Sequence, residues 1–162
     1  MTDLLPLLQE FYREKLISLL SHEAAARLVG QYDINNTYQY IINREETQLS
    51  WLAAAIADLG ATAETKLLAP TRQALGKGPR RTDVVFEEDA REAQAFVDRW
   101  RPRVDAMTNA RHRGMLRVIL GETLEQKRFF EQALTGNVEL LGRRSESVGA
   151  RVGEVLPDRW IE

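Results

Sequence analysis

The chain contains no cysteine, which excludes disulfides, thiolate metal sites and cysteine nucleophiles together. Histidine occurs twice, as His22 and His112. Neither has a second histidine three or four residues away, and no Ser-His-Asp triad has a pattern behind it. No apolar run approaches the roughly 20 residues a membrane span needs. The opening "MTDLLPLLQEFY" has early acids and no basic segment, so no signal peptide is expected and a cytoplasmic address is the default. Strand-length alternation and internal repeats are both missing.

What is present suits one soluble domain. The chain has 162 residues, 44% hydrophobic and 28% charged, a balance that argues against disorder. The net charge of −2 gives no global pull toward nucleic acid or an anionic membrane. Positive charge is mostly arginine. Arg99, Arg101, Arg103, Arg111, Arg113 and Arg117 cluster in one segment, read as a solvated surface paired to nearby acids because no known phosphate-binding motif accompanies them. "GKGPRR" at 76–81 lacks the strand and the Lys-Ser/Thr ending of a P-loop.

Helical spacing dominates. Leu5, Leu8, Tyr12, Leu16, Leu19 and Ala26 give a first helix over about 4–30, although Ser21 offers an alternative start at His22. Asp33, Asn35 or Asn36 can cap a second helix that runs to Leu59, with Gly60 as its stop signal. Asp83 can cap a third, about 83–108, with Phe86, Ala93, Val97, Trp100, Val104 and Met107 on one face. Pro102 should kink or end it. Asn109 can cap a fourth, about 110–135, with Leu116, Ile119, Thr123, Gln126, Phe130 and Leu134 inward. A tail helix over about 137–155 is suggested by Val138, Leu141, Val148, Val152 and Val155. The connections run short, long, short. Residues 60–82 can extend to about 75 Å, against about 38 Å for a 25-residue helix. The expected fold is therefore all-α: a four-helix bundle with a long crossover between helices two and three, plus a C-terminal helix.

The middle of this core is polar. Glu45 lies centrally on the stripe of helix two, with Gln48 one turn on. Thr123 and Gln126 are central on helix four, with Lys127 and Glu122 at opposite edges. Tyr12 and Lys15 face inward on helix one, with Glu23 two turns later. Asp89 borders the stripe of helix three beside Ala93. A buried carboxylate costs several kcal/mol unless a cation, donors or a proton accompany it. Carboxylates on facing bundle helices, with Glu-x-x-His from two of them, are also how di-metal sites are built. Positions i and i+3 share one side of a helix and converge on one cation.

"REETQLSWLAAAIADLG" (44–60) resembles the second bundle helix of ferritin-like proteins such as bacterioferritins and rubrerythrins. There a Glu-x-x-His precedes a leucine-rich stretch ending near Leu-Gly. "LGETLEQKRFFEQAL" (120–134) is similar to the fourth. The resemblance implies that Glu45 takes a glutamate position and Gln48 a histidine position. It likewise puts Thr123 and Gln126 in the glutamate and histidine positions of helix four. Tyr12 or Lys15 falls near the first-helix ligand, and Asp89, Ala90 or Ala93 near the third. The implied fold is a ferritin-like bundle over roughly 4–135.

Only Glu45 clearly retains a ligand residue. Glutamine replaces both histidines, and its amide oxygen is a poor ligand for iron or manganese beside imidazole. Lys15 or Lys127 would add positive charge where cations would sit. The expectation is a satisfied polar layer of Lys15, Glu45, Gln48, Thr123, Gln126 and Lys127, with no cofactor. The implied role is structural or interaction-based, in a homodimer or other homo-oligomer without nucleic-acid or membrane partners. The alternative is an iron- or manganese-dependent oxidoreductase using Glu45, Glu122 and Asp89. His22 and His112 are expected as capping or surface residues. Tyr40 and Trp51 fall off the core face, suited to a tail or subunit contact.

Overall fold

The computed structural model describes residues 3–74 and 80–136. The expected tail helix over 137–155 and most of "GKGPRR" lie outside the described residues. Among the described residues the protein is all-helical, with no strand. Four helices follow in order: α1 (Leu4–Leu28), α2 (Tyr32–Asp58), α3 (Asp83–Asp105) and α4 (Ala110–Leu134).

The boundaries have local causes. α1 runs unbroken through Ser21, because Leu19, His22 and Ala26 continue its buried stripe. Val29 is already extended and ends it. The expected caps of α2 do not act as caps. The helix starts after Gln31 without a side-chain cap bond, and Asn35 instead donates to the Ala26 carbonyl at 2.8 Å. That bond satisfies one of the last carbonyls of α1 and ties the hairpin together. Gly60 takes φ +85° in the turn after α2, a left-handed conformation that an L side chain rarely adopts. Asp83 is the first residue of α3 and not its cap. Pro102 neither ends α3 nor terminates its pattern; it falls in the last turn, and its carbonyl accepts from Ala106 at 3.1 Å. Asn109 does cap α4, its side chain accepting from the His112 backbone N–H at 3.0 Å.

α1 packs along α2, and α3 along α4. α2 meets α4 through Tyr38 and Phe130, 5.5 Å between ring centroids, and Tyr40 and Phe129, 6.4 Å. α1 meets α3 through Phe11, which lies edge-on to Phe96 at 5.2 Å and Trp100 at 4.8 Å. Glu10–Arg103 at 2.7 Å and Glu14–Arg99 at 3.0 Å flank that seam. The helices thus enclose one core in the cyclic order α1, α2, α4, α3. Near their N-terminal ends, α2 and α3 meet where Tyr38 stacks on Phe86, 6.3 Å apart. Fully buried Leu8, Phe11, Ile41, Leu52, Ile56, Val97, Trp100, Leu116 and Ile119 fill the apolar layers. Each such side chain contributes roughly 1.5–3 kcal/mol. That gain is what tolerates charge in the middle. Within the arginine-rich segment, Arg117 also pairs with an acid, Asp105, at 3.0 Å.

Candidate functional site

Glu45 lies between two cations. Its Oε2 accepts from Lys15 Nζ at 3.0 Å. Its Oε1 is 2.5 Å from His22 Nδ1. The seven residues from Lys15 to His22 are two turns of α1, so both side chains leave the same face, and the long lysine stem closes the roughly 10 Å rise between them. Lys15 is 1% exposed and Glu45 0%. The ammonium also lies 5.5 Å from the centre of the Phe96 ring. A charge pair this deep holds only because each charge has its counterpart.

The network continues past His22. Its Nε2 is 3.9 Å from Asp89 Oδ1. The same Oδ1 accepts from Arg72 Nη1 at 2.6 Å, and Oδ2 accepts from the Tyr38 hydroxyl at 2.5 Å. Arg72 comes from the connection between α2 and α3, yet its side chain is only 5% exposed. Nη1 also reaches the Ser21 carbonyl at 3.2 Å and the Ser21 hydroxyl at 3.3 Å. Nη2 donates to the Val85 carbonyl and to Glu88, both at 3.1 Å. One guanidinium thus ties the connection to α1 and α3.

These neighbours set the protonation states. Burial alone would strip the proton from His22; the charge and hydrogen bond of Glu45, aided by Asp89, outweigh it and raise the ring's pKa above its ordinary 6.5. Burial alone would raise Glu45; His22 and Lys15 outweigh it and lower the carboxyl below its ordinary 4.5. Burial, and then the facing charge of Asp89, push the Tyr38 phenol well above 10.0 and keep it a donor. Arg72 is disfavoured by burial but held more firmly charged by Asp89. Opposite charge and burial act against each other at three of these four sites, and charge wins at each.

A second group lies toward α4. Glu122 accepts from Arg44 Nε at 2.9 Å and Nη2 at 2.5 Å, and from the Gln48 amide. The amide oxygen of Gln48 is left buried without a partner among the described residues. Thr123 donates to its own Ile119 carbonyl at 2.8 Å. Gln126 is buried beside it.

The expected residues therefore fall into separate groups. Lys15 and Glu45 meet. Gln48 turns to Glu122, because Arg44 draws that carboxylate to the edge of α2. Gln48, Thr123 and Gln126 make no hydrogen bond to Glu45 among the described residues. Lys127 does not join the layer: its side chain is 29% exposed and pairs with Glu131 at 3.4 Å, one turn on. Asp89 lies on the His22 side and Glu122 on the α4 side, each engaged by its own arginine. His22 is buried, not a capping or surface residue; its place on the stripe between Leu19 and Ala26 is the signal for that. His112 lies at the first turn of α4, half-buried, with Nδ1 unpartnered among the described residues. Half-buried Glu23 borders a shallow surface hollow with Asn43 and Glu46. Tyr40 is half-exposed against Phe129, and Trp51 lies under the Arg44 guanidinium at 5.7 Å.

No protein-family model, curated protein or solved structure matches the chain. The chemistry open to the site follows from its own geometry. Beside His22 and Arg72 opens a groove of about 400 Å³, bordered by Ser18, Ser21, Thr71 and Glu88. Among the described residues, no three or more His, Cys, Asp or Glu side chains are grouped as a metal ion requires. No described helix is long and apolar enough to cross a membrane.

Proposed function

We propose that this chain is a ferritin-like bundle whose central layer is held by ion pairs in the place of a di-iron centre, and that it serves a structural or interaction role as a homo-oligomer. The observation that carries this reading is the Lys15 ammonium, 3.0 Å from Glu45 with both side chains buried. It puts a covalently tethered cation beside the one carboxylate that matches the family's ligand pattern.

The donor set fits a metal centre poorly. His22 Nδ1 is committed to Glu45, so this ring and this acid bind each other and do not converge on one ion. The imidazole positions of helices two and four carry Gln48 and Gln126. A second cation beside Lys15 or Arg72 would meet like charge at close range. The acids of the layer are neutralised instead by its own basic side chains.

Support for the lengthwise crossover comes from contacts at both ends. Tyr38 and Phe86 bring the starts of α2 and α3 together, which favours a return of the connection along the bundle. Along that route Glu64 lies 3.4 Å from Arg13, and Arg72 reaches Ser21, eight residues further along α1.

The test is elemental analysis of protein purified without added metal, repeated after incubation with ferrous iron or manganese. Far less than one metal per chain is expected in both, with a single oligomer above monomer mass by sedimentation. Stoichiometric iron or manganese, lost in Glu45→Ala, would overturn the reading in favour of the oxidoreductase.

A further inference from the structure

His22 is held at one ring nitrogen and uncommitted at the other. Nδ1 is 2.5 Å from Glu45. Nε2 makes no hydrogen bond among the described residues; Asp89 Oδ1, at 3.9 Å, is beyond hydrogen-bonding range. Arg72 shows the same pattern. Its Nη1 and Nη2 are used by Ser21, Asp89, Val85 and Glu88, while Nε makes no hydrogen bond among the described residues. Both residues line the groove of about 400 Å³, together with the hydroxyl-bearing Ser18, Ser21 and Thr71. That volume suits a small molecule.

The groove's inner acids are already engaged. Asp89 accepts from Arg72 and Tyr38, and Glu88 accepts from Arg72. Arg91 and Glu92, on the exposed side of α3, bring one charge of each sign to the mouth. What the groove floor offers is thus two hydrogen-bonding nitrogens on two basic groups, with hydroxyls around them.

We propose that this groove binds a small carboxylate, one oxygen on His22 Nε2 and the other on Arg72 Nε. A carboxylate presents two acceptors in a plane, which matches two separate donors better than a spherical anion does. The ring–ligand contact needs a proton on Nε2, so that the ring donates through Nδ1 to Glu45 and through Nε2 to the ligand. Repulsion from Asp89 is blunted because Arg72 Nη1 lies 2.6 Å from the oxygen that faces the ring. Glu45 acts as a positioning residue, fixing the ring through Nδ1 so that Nε2 addresses the groove.

The test is titration of the full chain with sodium acetate at constant pH and ionic strength, observing the His22 ring nitrogens and the Arg72 Nε–H by NMR, with sodium chloride as the control. Saturable shifts at both residues with acetate, and none with chloride, are expected. Arg72→Lys keeps the charge but loses Nε, and should weaken acetate at least tenfold; the wild-type titration decides the matter alone if that variant does not fold. Linear shifts, equal shifts with chloride, or saturable shifts that map away from His22 and Arg72 would each overturn the proposal. Such a failure leaves the ion-pair reading intact, because that reading rests on Lys15 and Glu45.

Discussion

At Glu45 one carboxylate serves two cations, and its proton equilibrium becomes part of the fold. His22 has a folded pKa above its ordinary 6.5. The stability it brings is complete below about pH 6.5 and is lost as pH rises through the folded value. Glu45 has a folded pKa below its ordinary 4.5. Its contribution is complete above about pH 4.5 and is lost as pH falls through the folded value. The two shifts share one contact, so they are counted once. Urea unfolding followed against pH should therefore show greatest stability between roughly pH 4.5 and 6.5. Stability that instead climbs steadily from pH 5 to 8 would contradict the charged His22. Gln48 gives a contrasting case. Its amide donates to Glu122 while its oxygen is stranded among the described residues. Gln48→Met gives up the first and relieves the second, so the net change should stay within about 1 kcal/mol. A loss of about 3 kcal/mol by the same assay would mean that the oxygen has a partner.

Among the elements, the connection between α2 and α3 carries more than its sequence suggests. Arg72 inserts between α1 and α3 and satisfies Asp89. Arg72→Ala leaves that buried acid with Tyr38 as its only direct hydrogen-bond donor among the described residues, a change that should cost about 3 kcal/mol. It also unties the segment from the bundle, so limited proteolysis should accelerate within residues 61–74 before the helices are cut. Unchanged cleavage there would mean the strap is held elsewhere. The helices themselves are legible because apolar residues recur every three to four positions; their starts and stops are not. Asn35 leaves its expected capping role to bond the Ala26 carbonyl, and Pro102 stays within α3 although its ring removes one N–H from the last turn. Arg72 has no periodicity to betray it. A single buried arginine in a loop depends on where the loop lies, which is a tertiary fact.

At the scale of the molecule, the four helices of the described residues surround a charged middle layer with apolar layers on either side. A lysine beside Glu45 is readable from the inward phases of the helices, but whether it is Lys15 or Lys127 is not; the structure puts Lys15 there. The direction each polar side chain then turns is not. Glu122 goes to Arg44, Lys127 to Glu131, and His22 into the core, each settled by a neighbour on another turn or helix. The central claim is that Lys15 and Glu45 hold this layer together as a pair. A double-mutant cycle in urea, using wild type, Lys15→Met, Glu45→Leu and the double variant, measures that directly. Each single change should cost about 3 kcal/mol or more. The double variant should then be more stable than the sum of the singles implies, by at least about 1.5 kcal/mol. Single changes that add to within about 0.5 kcal/mol would contradict the pairing.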